Sequence, residues 1–283
     1  MKKSGILGRP LGHSISPCFQ NAAFTNLGIE ATYEAWPVVT AELPERIQNL
    51  RGSDFLGANV TIPYKELVIP LLDEIDDWAL KIGSVNTIVN QAGLLIGYNT
   101  DTVGFLRAIS EYGNYEPSGQ DVLLIGAGGA ARAAAHALME AGVKTLWIAN
   151  RTYDRVKRLA DELLEIGEVK PIGLGGPEFR KSAASVSLIV NSTSLGMRHT
   201  SEAHINPLEG LNIGSSTLVT DMVYNPLDTP MLIAAENRGC RILSGLPMLV
   251  LQGAASFELW TGDGAPVDVM FSAARQALID QSD

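Results

Sequence analysis

The stretch Asp121-Val122-Leu123-Leu124-Ile125-Gly126-Ala127-Gly128-Gly129-Ala130-Ala131 decides the fold. Asp121 to Ile125 reads as a buried strand, because a short apolar run stops at a turn former. After the glycines an alanine-rich helix runs to about Ala141, and a second strand, Lys144–Ala149, ends at Asn150-Arg151-Thr152. Gly126-x-Gly128-x-x-Ala131 in that setting fits the dinucleotide-binding fingerprint. Gly126 permits the tight turn, Gly128 lets the backbone approach a pyrophosphate, and Ala131 is small enough for helix to pack on sheet. The amides of Ala127, Gly128, Gly129 and Ala130 then face the phosphates from the helix start. A plain strand–helix turn with no ligand remains the alternative for the loop taken alone.

The second strand's end selects the dinucleotide. An NAD site usually has a carboxylate there for the ribose 2′-hydroxyl. This chain has Asn150, Arg151 and Thr152, with Arg155 one helical turn on. Guanidinium groups pair bidentately with phosphate, so the pattern predicts NADP as cofactor. The competing reading is that both arginines solvate a helix start.

Outward from this core, the N-terminal third alternates strands and helices. Ser4–Leu7, Thr32–Val38 and Gly57–Ile62 read as strands. Val85–Asn90 and Leu94–Tyr98 read as a hairpin around Gln91-Ala92-Gly93. Ser16-Pro17 reads as an N-cap and N1 proline opening a helix that stops at Gly28. Further helices are expected after Thr40, over Tyr64–Leu72 and over Thr102–Ser110 with Asp101 as its cap. Turn formers in Tyr112–Gln120 mark a boundary. Later strands are expected at Leu188–Val190, Leu218–Asp221 and Arg241–Leu243. Alternation of this kind predicts an α/β protein with a largely parallel sheet.

Composition narrows the partners. The 283 residues include 46% hydrophobic and 18% charged residues and carry a net charge of −10. An acidic chain repels phosphate backbones and anionic lipid, which argues against nucleic acid and membrane. Cys18 and Cys240 form no disulfide framework and lack metal-ligand spacing, so no metal site is expected. Cys18 reads as a small core thiol. Gly8-Arg9-Pro10 interrupts the first apolar run too early for a signal peptide, and no run has the ~18 apolar residues of a membrane helix. A cytoplasmic protein is the expectation.

Several motifs, in chain order, resemble shikimate dehydrogenases. They are Gly12-His13-Ser14-Ile15-Ser16-Pro17, Asn59-Val60-Thr61-Ile62-Pro63-Tyr64-Lys65, Gly83-Ser84-Val85-Asn86-Thr87 and Gly97-Tyr98-Asn99-Thr100-Asp101. The glycine loop and Asn150-Arg151-Thr152 follow. Asn191-Ser192-Thr193-Ser194-Leu195-Gly196-Met197, Asp221-Met222-Val223-Tyr224-Asn225-Pro226 and Gly245-Leu246-Pro247-Met248 through Gln252 complete the series. One departure is Gln20-Asn21, where the family often has His-Asn. It reads as a packing variation.

The resemblance implies NADP-dependent reduction of 3-dehydroshikimate to shikimate, in chorismate and aromatic amino-acid biosynthesis, by a monomer or homodimer. It implies a substrate domain over 1–105 completed by helices in 246–283, a Rossmann-type NADP domain over 106–245, and a site in the cleft between them. Lys65 and Asp101 are implied as the catalytic pair. Ser14 and Ser16 would bind the substrate carboxylate. Thr61, Lys65, Asn86, Asp101 and Gln252 would hold ring hydroxyls, and Tyr224 would lie near the substrate. Met222 and Gly245 would line the nicotinamide end.

Each residue has a plainer reading. Lys65 alone is a solvated lysine, Asp101 a helix cap, Gln252 a buried amide in an apolar helix. Two other functions compete. A quinate/shikimate dehydrogenase using NAD(H) is expected to carry Thr at the second serine and an acid at the second strand end, and this chain has neither. A dinucleotide sensor with a dead site is expected to lose Lys65 or Asp101, and both are present.

Overall fold

The computed structural model describes residues 1–281. The chain divides into two units: Met1–Gly104 together with the chain from Val250 onward, and Phe105–Leu249. The first unit holds β1 (Lys2–Gly8), β2 (Ala31–Pro37), β3 (Gly57–Val60), β4 (Glu74–Ile75), β5 (Thr87–Gln91) and β6 (Leu94–Tyr98), in the order β2-β1-β3-β5-β6-β4. Its helices are α1 (Ser16–Asn26), α2 (Leu43–Asn49), α3 (Asp77–Ile82) and the start of α4 (Asp101–Arg107), which runs on into a π-helical turn, Ala108–Tyr112. β1 pairs parallel with β2 and β3, whereas β3–β5 and β5–β6 are antiparallel. A tight hairpin turn makes the β5–β6 pairing antiparallel. Ala92 and Gly93 both take positive φ, the geometry of a primed two-residue turn, and Asn90 Oδ1 accepts from the Gly93 amide at 2.7 Å.

The second unit holds β7 (Asp121–Ile125), β8 (Thr145–Asn150), β9 (Glu168–Gly173), β10 (Leu188–Asn191), β11 (Leu218–Asp221) and β12 (Arg241–Leu243), with α5 (Gly129–Glu140), α6 (Tyr153–Leu163), α7 (Pro177–Ala183) and α8 (Pro230–Glu236). All its pairings are parallel, in the order β12-β11-β10-β7-β8-β9. That is the doubly wound order of a Rossmann-type sheet, whose direction of winding switches between β7 and β10. β7 is apolar and buried along Val122–Ile125, as a central strand covered on both faces must be. β9, which the sequence reading did not find, carries Pro171 and lies at the sheet edge, where a missing N–H is tolerated.

α9 (Leu246–Thr261) and α10 (Val267–Asp280) close the chain, and α10 packs on α1 within the first unit. Phe24 meets Phe257 at 5.1 Å between ring centroids and Tyr33 meets Trp260 at 5.9 Å, so α9 covers one face of the first sheet. The opposite face packs Leu7, Ala58, Val60 and Ile88 against Leu43, Ile47 and Leu50. Period-two alternation turns Asn59, between Ala58 and Val60, toward α9.

Four local expectations are corrected. Tyr64–Leu72 is a series of turns with a short 3₁₀ segment, Ile69–Leu71, and not a helix. Pro70 withholds an amide, and the Lys65 carbonyl is taken by the Val85 amide at 2.8 Å. Ser16 is the first residue of α1, with Ile15 at the capping position, and Ser14 Oγ accepts from the Ser16 amide at 3.4 Å. Asp101 opens α4, and Asn99 Oδ1 accepts its amide at 3.1 Å, which leaves the Asp101 carboxylate for other partners. Cys18 is exposed, because α1 turns Phe19, Gln20, Ala23 and Phe24 inward.

Candidate active site

In the first unit, the turn after β3 carries Thr61 and Lys65, and the start of α4 carries Asp101. Lys65 Nζ lies 2.5 Å from Asp101 Oδ2, with 16% and 7% of the two side chains exposed. That burial leaves the ammonium reachable while drying its partner. The second carboxylate oxygen, Oδ1, accepts from Asn86 Nδ2 at 2.9 Å. Asn86 Oδ1 accepts from the Thr100 amide at 2.7 Å, and Asn86 Nδ2 reaches Gln252 Oε1 of α9 at 3.3 Å. Four of the residues singled out from sequence, Lys65, Asn86, Asp101 and Gln252, therefore form one hydrogen-bonded group. An ammonium held by a carboxylate can donate a proton to a developing alkoxide and stabilise its charge.

Ser14 and Ser16 stand at the N-terminus of α1, whose dipole favours an anion, although Pro17 brings no N–H and the Ser16 and Cys18 amides bond Ser14 Oγ and the Ile15 carbonyl. Ser16 is buried and Ser14 partly exposed. Gln20, at the unusual family position, is buried and donates Nε2 to the Gly253 carbonyl at 2.9 Å, so the variation ties α1 to the helix of Gln252. Thr61 is half-buried, and its amide bonds the Leu7 carbonyl at 2.8 Å.

In the second unit, Gly126 follows β7 with φ +122°, a conformation that an L side chain rarely adopts. A side chain there would also strike Ser192 at the end of β10. Gly128 caps α5, and no atom lies within 4 Å of where its Cβ would stand. Ala131 is fully buried. An open, glycine-lined helix start at the switch point of the sheet fits a dinucleotide pyrophosphate. Ala127, Gly129 and Ala130 complete that turn.

Asn150 ends β8 and bonds the Thr152 carbonyl at 3.3 Å, while Thr152 stands at the cap of α6. Arg151 is 68% exposed and pairs with Glu202 at 2.6 Å, a partner that sequence reasoning did not anticipate. Arg155 is exposed on the first turn of α6. Met222 and Gly245 come together: the Gly245 amide bonds the Val223 carbonyl at 3.2 Å, and a Cβ on Gly245 would stand 2.6 Å from the Met222 carbonyl carbon. Tyr224 belongs to this second unit, and burial pushes its phenol up from the ordinary value.

Sequence reasoning also passed over Asp221. It is fully buried at the end of β11 and accepts from Asn191 Nδ2 at 3.0 Å, the Val223 amide at 3.0 Å and Thr229 Oγ1 at 2.7 Å. Burial pushes its carboxyl up to about 6 although all three donors act the other way. The signal available in sequence was a lone acid ending an apolar strand. Among the described residues, no His, Cys, Asp or Glu group is arranged to hold a metal ion, and no helix is long and apolar enough to cross a membrane.

Three family models match the chain in order. The shikimate dehydrogenase substrate binding domain covers residues 6–88, shikimate/quinate 5-dehydrogenase covers 110–222, and the shikimate 5′-dehydrogenase C-terminal domain covers 245–275. The shikimate dehydrogenase (NADP(+)) of Moorella thermoacetica is 46% identical over 275 residues, 96% of this chain and 92% of that one. Its counterpart from Carboxydothermus hydrogenoformans is 44% identical over 273 residues, 96% of each chain. The crystal structure of shikimate 5-dehydrogenase from Thermus thermophilus, in complex with NADP(H) and shikimate, superposes with a TM-score of 0.85 at 38% identity, over 98% of this chain and 100% of that one.

Proposed function

The chain belongs to the shikimate dehydrogenase family, and from that premise we propose that it catalyses the reversible NADP-dependent reduction of 3-dehydroshikimate to shikimate, in chorismate and aromatic amino-acid biosynthesis. The observation that carries the reading is the Lys65–Asp101 pair, joined to Asn86 and Gln252.

When bound, NADPH supplies the hydride for the C3 carbonyl carbon. Gly126, Ala127, Gly128, Gly129 and Ala130 hold its pyrophosphate at the start of α5. Asn150, Arg151, Thr152 and Arg155 hold the 2′-phosphate, and Met222 and Gly245 line the nicotinamide end. The exposed Arg151 guanidinium and the open space at Gly128 support this assignment.

Lys65, as ammonium, gives its proton to the alkoxide oxygen at C3. In the reverse direction the neutral amine takes the hydroxyl proton. Asp101 holds the ammonium with Oδ2 and keeps Oδ1 for Asn86 and a substrate hydroxyl. Thr61, Asn86 and Gln252 hold ring hydroxyls, and Tyr224 contacts the substrate. Ser14 and Ser16 bind the carboxylate without a cation, which suits a protein of net charge −10. The first unit is then the substrate domain and the second the NADP domain. The reading includes a cytoplasmic location and a monomeric or homodimeric state, which light scattering on the purified protein tests.

Loss of NADPH absorbance on adding 3-dehydroshikimate is the direct assay. Absence of turnover ends the reading. Faster turnover of quinate with NAD would replace it by the quinate alternative.

A further inference from the structure

β3, β5, the start of α4 and α9 turn short polar side chains toward one buried point behind the reacting pair. Ser256 Oγ stands at that point, with none of the residue exposed. It lies 2.8 Å from Thr87 Oγ1 and 3.1 Å from Thr100 Oγ1, accepts from Asn59 Nδ2 at 2.9 Å, and donates to the Gln252 carbonyl at 3.0 Å. Both threonine hydroxyls also reach Asn86 Oδ1, at 3.0 and 3.2 Å. Asn59 is held in turn by the Tyr33 hydroxyl at 2.8 Å.

The proton count gives these contacts a direction. Each hydroxyl has one proton. With that proton on the Gln252 carbonyl, the Ser256 oxygen accepts from Asn59 and from one threonine. The other threonine then donates to Asn86 Oδ1, beside the Thr100 amide. Asn86 Nδ2 faces Asp101 Oδ1 and Thr100 Oγ1, each at 2.9 Å, and a flipped amide would set oxygen against carboxylate. α9 is held in register at the same turn: a Cβ on Gly104 of α4 would stand 2.7 Å from the Gln252 amide nitrogen, so only glycine permits this approach. Apolar groups of the same shape can replace a buried hydrogen-bonded pair at little cost in stability, so the cluster's position behind Asn86 points to orientation of the carboxylate.

We propose that Ser256 is a positioning residue for the reaction: it fixes the amide of Asn86, and through Asn86 the Asp101 carboxylate that holds Lys65. The inference rests on the catalytic reading of Lys65 and Asp101 given above.

Steady-state kinetics on the full chain test it, with Ser256→Ala, Thr87→Val, Asn86→Ala and the double variants, alongside thermal unfolding and NADPH titration. Ser256→Ala is expected to lower kcat/KM for 3-dehydroshikimate about tenfold, the effect of one lost buried hydrogen bond on an oriented group. NADPH affinity should stay unchanged. In the Asn86→Ala background the same substitution should cost less than about twofold more, because effects carried through one residue do not add. A packing role would lower the unfolding temperature and leave kcat/KM of the folded enzyme unmoved. Either a Ser256→Ala enzyme within about twofold of wild type, or single effects that multiply in the double variant, overturns the proposal. Should Ser256→Ala fail to fold, Thr87→Val decides by the same cycle. A wild-type chain that does not turn over 3-dehydroshikimate overturns the catalytic reading and this inference together, whereas an active wild type with an unaffected Ser256→Ala overturns the inference alone.

Discussion

The two units build their sites from different materials. In the Phe105–Leu249 unit the surface proposed to face the phosphates is backbone, supplied by consecutive residues from Gly126 to Ala130. In the first unit the proposed reacting group is made of side chains: Lys65 and Asp101 are 36 residues apart, and Asn86 and Gln252 are 166 apart. A backbone site needs only a turn, a small residue and a helix start, so its whole chemistry fits in one short motif. A side-chain site needs several elements to arrive at fixed distances, and its chemistry exists only once they do. Substitutions that remove one side chain should therefore hit the first unit's function hardest.

Lys65→Met gives the largest expected effect. If the ammonium donates the proton, kcat falls by about 10²–10⁴ with KM for 3-dehydroshikimate nearly kept. Near-normal kcat at saturating NADPH, with raised KM, would make Lys65 a binding group and weaken the contrast between the units.

Asp221 tests whether the second unit also depends on a side-chain cluster. Its carboxyl is raised by burial from 3.8 to about 6. A carboxyl raised on folding adds stability that is fully present below about pH 4 and is lost as pH rises through about 6. That rise corresponds to about 3 kcal/mol. Urea unfolding across this range should show wild-type stability declining with pH through that contribution, and Asp221→Asn should lack that part of the slope. Identical slopes in the two proteins would assign the titration elsewhere.

Arg151→Ser is smaller again. The preference for NADPH over NADH should drop about tenfold, the loss of one charge-assisted bond to phosphate. Equal loss for both cofactors in fluorescence titrations would leave Arg151 only its ion pair with Glu202. Smallest of all, Ser14→Ala and Ser16→Ala should each raise KM for 3-dehydroshikimate by about fivefold, with a lesser fall in kcat, since the carboxylate is remote from C3. An unchanged KM removes that serine from the site.

Legibility in the sequence follows the same division. β7, the glycine turn, α5 and β8 were readable because each obeys a local rule of period, turn or helix start. The segment from Tyr64 to Leu72 has helical apolar spacing and yet forms turns, because the Lys65 carbonyl is taken by Val85, a partner 20 residues away. Position alone makes Asp101 a helix cap, and only the family resemblance pairs it with Lys65; in the fold Asn99 takes the Asp101 amide and the carboxylate meets Lys65. Ser256 carried no signal at all, being one serine in an apolar helix.

By itself the sequence determined the α/β alternation, the dinucleotide turn and the cationic end of β8, since these depend on neighbours within a few residues. It also carried, through motifs shared with a family, the residues assigned to the substrate. Tertiary structure alone decided that Asn59, Thr87, Thr100 and Ser256 converge behind Asn86, that Glu202 pairs with Arg151, and that Asp221 is buried among three donors. The physical reason is range: hydrogen bonds and desolvation act over a few ångströms of space, and only the folded chain brings residues far apart in sequence within that distance.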